Sequence, residues 1–99
     1  MRVVIYQFEV KPHAHQAFIS AWKEMTALIF EYENSLGSRL HKAAENVYIA
    51  YAQWPDKVTF ENAGDHLPEK ADQVRKRLRN ACQSMETLYE MDVVADLLK

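Results

Sequence analysis

Apolar and polar positions alternate from Val3 to Val10, with Val4, Tyr6, Phe8 and Val10 on one face and Val3, Ile5, Gln7 and Glu9 on the other. That is the period of a strand whose second face is mixed. Pro12 stops the run and suits a first helical turn, after which Ala14, Phe18, Ala21, Trp22, Met25, Leu28, Ile29 and Tyr32 recur at three- and four-residue spacing. The spacing predicts a helix of about five turns. Asn34 and Gly37 punctuate its end, and Leu36 to Lys42 reads as a second strand, Leu36, Ser38 and Leu40 opposing Gly37, Arg39 and His41. Ala44-Glu45-Asn46 turns the chain into Val47 to Trp54, rich in β-branched and aromatic residues, so these two strands form an antiparallel hairpin. Val47, Ile49, Tyr51 and Gln53 share one face of the third strand, and Tyr48, Ala50, Ala52 and Trp54 the other, large at its ends and small in its middle. Pro55-Asp56 opens a short helix carrying Val58 and Phe60, closed by Asn62-Ala63-Gly64. Leu67, Ala71, Val74, Leu78, Ala81 and Met85 mark the buried stripe of a longer helix, and a final strand, Thr87 to Val94, sets Tyr89, Met91 and Val93 against Leu88, Glu90, Asp92 and Val94.

The order β-α-β-β-α-β, with a short helix after the third strand, predicts an α+β ferredoxin-like fold in which helices cover one face of a four-stranded antiparallel sheet. The other face joins Val3, Ile5, Val47, Ile49 and Tyr51 to Gln7, Arg39, His41 and Gln53, too apolar for free solvent and too polar for a dry core. A second copy of the chain is its economical cover, giving a homodimeric α+β barrel through the sheet face, with the tail Leu97-Leu98 docking on the partner.

Composition narrows the choice. With 99 residues and no internal break, residues 1–99 read as a single domain with one modest core. Twelve Lys and Arg against fourteen Asp and Glu leave no positive surplus to hold a phosphate backbone, which argues against nucleic acid. Val3 to Tyr6 is far too short an apolar run for a membrane span or a signal segment, and one cysteine, Cys82, cannot form an internal disulfide. A reduced, cytoplasmic protein is expected.

The segment Glu33-Asn34-Ser35-Leu36-Gly37-Ser38-Arg39-Leu40-His41-Lys42, then Tyr51-Ala52-Gln53-Trp54, then Phe60 in the short helix, resembles the antibiotic biosynthesis monooxygenase domain over almost the whole chain. The resemblance implies the dimeric barrel, and a range of activities: cofactor-free oxygenation of quinol or polyketide-type aromatics, haem degradation, small-molecule isomerisation, or no known reaction. Haem cleavage in the family is expected to combine an Asn on the first strand, this Trp, and a His on the last long helix. Here Tyr6 stands at the strand position and no His lies between Leu67 and Met85, His66 only preceding that helix, so haem cleavage is disfavoured. The aromatic oxygenases need no metal or flavin, because an electron-rich quinol anion can itself reduce oxygen. Phe60 stands where some of them carry a polar aromatic.

Two small side chains, Ala50 and Ala52, beneath a helix layer and beside Trp54 leave room for a pocket, to which Tyr6 contributes a hydroxyl. The candidate site therefore has Trp54 and Tyr6 as catalytic residues and Phe8, Ala50, Ala52 and Phe60 as substrate-binding residues, with no cofactor and no metal. The bland reading is a plain core with close helix packing. The alternatives in function are an isomerase of a small hydroxyketone-like metabolite and a non-enzymatic binding protein whose pocket is filled by Trp54, Tyr6 and Phe60 themselves. His41, two residues from Arg39, is the best-placed proton carrier, yet parity puts it across the sheet from the pocket; a catalytic role requires the second strand to face the other way. His13 and His15 diverge at a helix start and read as an exposed cap region. Arg75, Lys76, Arg77 and Arg79 read as a solvated helix face, and Cys82 as a small buried hydrophobe.

Overall fold

The computed structural model describes residues 1–98 and contains strands β1 (Arg2–Val10), β2 (Gly37–Ala44), β3 (Val47–Trp54) and β4 (Cys82–Asp92), with helices α1 (His15–Tyr32), α2 (Lys57–Glu61) and α3 (Lys70–Ala81). The four strands form one antiparallel sheet in the order β2-β3-β1-β4, the α+β ferredoxin-like arrangement. Tyr6 pairs with Ala50 and Val4 with Ala52, so the predicted parity of the central strands holds. On the helix-covered face Phe8, Val10, Tyr48 and Ala50 meet Phe18 and Ala21 of α1 and Leu78 and Ala81 of α3 in the main core. A second cluster joins Met25 and Leu28 to Ala71 and Val74, where α1 crosses α3. Outside it, the Arg77 guanidinium grips both oxygens of Glu24 at 2.9 and 3.2 Å, while Arg75 pairs with Asp72 along the same solvated face.

Three local expectations change. Pro12 sits in a turn ahead of α1 rather than in its first turn, the Ala14 N–H donating to the Lys11 carbonyl at 2.9 Å. His15 is half-buried, one ring nitrogen 2.8 Å from the Tyr48 hydroxyl and the other 2.9 Å from Asn46 Oδ1, so it ties the start of α1 to the β2–β3 turn while His13 stays exposed. The third correction is larger: α3 ends at Ala81 and β4 begins at Cys82, five residues before the expected Thr87. Cys82 is already extended and pairs with Val10, and the Lys11 N–H holds the Ala81 carbonyl, so pairing with β1 captures the chain as soon as the helix ends. Met85 lies four residues beyond Ala81 and imitates the helical stripe, but it pairs with Phe8 in the sheet.

The chain leaving α1 is fixed by a buried carboxylate. Asn34 takes a left-handed φ of +62°, a helix-ending conformation that Asn tolerates. It leaves Glu33 turned inward, accepting hydrogen bonds from the Gly64 N–H, from the His66 N–H at 3.3 Å, and from the His66 ring Nδ1–H at 2.7 Å. Burial alone would raise the Glu33 pKa; the His66 ring and the two amides outweigh it and hold the carboxyl below the usual carboxylate range. The clamp thereby joins the α2–α3 loop to the end of α1. Because the folded pKa is depressed, its contribution is present above the ordinary carboxylate pKa and is lost as pH falls through the folded value. Glu33→Ala, which strips three donors of their acceptor, is expected to cost about 2–3 kcal/mol at neutral pH. Thermal melts between about pH 6 and pH 3 check this: wild type should lose stability on acidification more steeply than the variant, and parallel slopes would refute it.

Candidate functional site

Between the sheet and the helices lies a cavity of about 370 Å³. Its floor is Tyr6 and Phe8 of β1 with Ala50, Ala52 and Trp54 of β3, and its roof is Trp22, Met25, Thr26 and Ile29 of α1 with Leu78 of α3. The hollow exists because Ala50 and Ala52 are buried between the larger Tyr48 and Trp54, so the middle of the strand does not reach the helix layer. Its volume lies in the range of small-molecule pockets, about 300–1,000 Å³.

Five of the six residues expected at a site border this hollow together: Trp54, Tyr6, Phe8, Ala50 and Ala52. Phe60 does not. It meets the Trp54 ring at 5.5 Å and an interplanar angle of 63°, an edge contact by which α2 steadies the indole. The Trp54 indole is 4% exposed, and its buried Nε1–H has no hydrogen-bond partner. Burial first, and the charge of Glu90 second, push the Tyr6 hydroxyl up, so at neutral pH it stays protonated and can donate.

Residues that pattern reading missed come from β4. Ile5 pairs with Tyr89 but Tyr6 pairs with Thr87, so Leu88 is an extra residue, a bulge that inverts the alternation of the strand's first half. Thr87 and Met85 are thereby set opposite Tyr6 and Phe8, and both border the cavity. Unbroken alternation from Tyr89 gives no hint of this. Ser35 and Ser38 also border the hollow, but each hydroxyl donates to a β3 carbonyl, Ser35 to Gln53 and Ser38 to Tyr51.

Of the described residues that border the cavity, Tyr6 and Glu86 alone carry an ionisable side chain, and pairing of Glu86 with Gln7 sets its side chain on the opposite sheet face. His41 pairs with Ile49, also on that opposite face, and its exposed ring Nδ1–H donates to the Ile49 carbonyl at 3.1 Å. Among the described residues no group of three or more His, Cys, Asp or Glu gathers as a metal would require. Cys82 is buried, its thiol pushed up by burial against a smaller opposing pull from Lys11. No helix among the described residues is long and apolar enough to cross a membrane.

The fold has known counterparts. SnoaB, described as a cofactor-independent oxygenase from Streptomyces nogalater, superposes with a TM-score of 0.79 at 18% identity, covering 99% of this chain and 97% of that one. A crystal structure described as an antibiotic biosynthesis monooxygenase gives 0.72 at 19% identity over 96% and 100% of the two chains. A conserved protein from Methanosarcina mazei Go1 gives 0.70 at 16% identity over 91% and 89%. At such identities the likeness is one of fold, and no curated protein matches the sequence. The sequence model of antibiotic biosynthesis monooxygenases matches residues 1–66, from β1 to the His66 that caps the Glu33 clamp, and the chain belongs to that family.

Proposed function

We propose that this protein is a cofactor-independent monooxygenase that takes a quinol-like or polyketide-type aromatic small molecule into the cavity beneath its helices. The observation that carries the reading is the apolar cavity bordered by Trp54 and Tyr6, with the Trp54 indole N–H buried and unpartnered beside it. A buried donor left unsatisfied costs about 1–3 kcal/mol, which a ligand oxygen offsets. Tyr6 supplies a second donor from the neighbouring strand, while Phe8, Ala50 and Ala52 offer a flat apolar bed for a ring. Two donors beside an apolar space favour an oxygen bearing negative charge, as in the anion of a quinol or an enolised ketone. Such an anion passes one electron to dioxygen; radical and superoxide then combine into a C–O bond, and the peroxide loses water. One ring methylene and one dioxygen thus become one carbonyl and one water. The scaffold's part is to hold the ring, stabilise its oxyanion and exclude solvent. With no carboxylate or imidazole side chain directed into the hollow, the reading calls for a substrate acidic enough to ionise readily.

The other readings draw less support. An isomerase needs a proton-transfer pair in the cavity, and His41 lies across the sheet. A merely filled pocket is at odds with the space left between Trp54 and Tyr6.

The open sheet face supports a homodimer. Val47, Ile49 and Tyr51 are only half-covered there, and Tyr89 and Met91, paired with Ile5 and Val3, add exposed apolar surface. A partner sheet would cover them, and the exposed Leu97 and Leu98 would reach onto it.

Oxygen uptake with a panel of quinols and anthrone-type ketones should show turnover that falls about 100-fold in Trp54→Phe, the scale for loss of one oxyanion donor. Silence across the panel overturns the proposal. Ala52→Leu should abolish ligand binding with little change in melting temperature, since the added atoms enter existing space; undiminished affinity would count against this cavity as the site. Light scattering at micromolar concentration should give twice the chain mass, and Ile49→Lys should halve it without loss of far-UV circular dichroism.

A further inference from the structure

The cavity has a neighbour on the outer surface. Trp22, Thr26 and Ser38, which border it, also border a shallower groove on the outside, between α1 and the edge strand β2. Ala27 and the exposed Phe30 form its helix side, Gly37 its strand side, and Lys23 and Glu31 its other lining. Gly37 has a φ of +106°, which a side chain rarely adopts, and nothing stands within 4 Å of where its Cβ would lie. The groove is therefore left open where β2 begins. Phe30 is 57% exposed, more than Tyr32 at the end of the same helix, and the groove beside it gives that exposure a use.

Resting on the aromatic-substrate reading, we propose that the substrate is a ring bearing an apolar chain: the ring lies in the inner cavity, and the chain leaves past Trp22 and Thr26 to lie along Ala27 and Phe30. The three residues shared by the two adjoining spaces mark the path, and Ala27 and Phe30 favour an alkyl or prenyl-like substituent. Ser38 already donates to the Tyr51 carbonyl, so its hydroxyl makes no demand on the substituent. Phe30 and Ala27 are exposed helix positions, so substitutions there leave the core untouched.

The test measures binding, not turnover. Quenching of tryptophan fluorescence by 2-methyl-, 2-hexyl- and 2-decyl-1,4-naphthoquinone would be titrated against wild type, Phe30→Asp and Ala27→Glu. Hexyl should bind at least about tenfold more tightly than methyl in wild type, the effect of roughly two methylenes leaving water. That gain should vanish in both variants. Equal affinity for methyl and hexyl, or a gain that survives both substitutions, overturns the proposal. Binding of the hexyl compound without the methyl one would sustain the groove and count against the ring site. No binding at any length would overturn both. Conversion of a dimer to single chains by Phe30→Asp, seen by light scattering, would reassign the groove to a protein interface and overturn it as well.

Discussion

The site depends on a mismatch of side-chain size along one face of β3. Tyr48 and Trp54 stand tall at its ends, and Ala50 and Ala52 are low between them. At one end Tyr48 packs on Phe18, which packs on Phe8, with ring centroids 5.0 and 5.1 Å apart. At the other, Trp54 is met by Phe60 from α2. These aromatic contacts act as two pillars, and the space over the alanines stays open because closing it would mean displacing rings already packed against one another. The same construction explains how a hollow of this size coexists with a core in a chain this short. Phe18 and Val10 are fully buried beside it, so the packing that stabilises the fold is concentrated at the Tyr48 pillar.

Much of this was legible from side-chain pattern. Alternation in β1 and β3 gave the helix-facing set Val4, Tyr6, Phe8 and Ala50, Ala52, Trp54, and the observed register joins those two sets across the strands. Such alternation is informative because one sheet face is buried, so a slip by one residue would expose the whole set. The five-turn helix and the Asp56 cap of α2, whose carboxylate accepts from the Thr59 N–H at 2.7 Å, follow local rules in the same way. Phe60 touches Trp54 without bordering the cavity, because proximity in sequence does not say which side of a ring a neighbour occupies.

What escaped the pattern was set by long-range pairing. Neither the early start of β4 nor the bulge at Leu88 has a local marker: no glycine or proline stands between Ala81 and Asp92, and Met85 fits a helical and a sheet reading equally well. The decision comes from β1, whose unsatisfied backbone groups find their partners in that segment. The Glu33 clamp escaped for a related reason, since its donors lie more than thirty positions away. A glutamate at the end of an amphipathic helix is ordinarily read as solvated.

The bulge at Leu88 has an evolutionary corollary. Were β4 to take Leu88 into the regular ladder at unchanged length, Leu88 would face Tyr6, Thr87 would turn outward, and the carboxylate of Glu86 would come under the helices opposite Phe8. A family built on this scaffold can therefore gain or discard an acidic group at its reaction chamber through one irregularity on a peripheral strand, with the central strands unaltered.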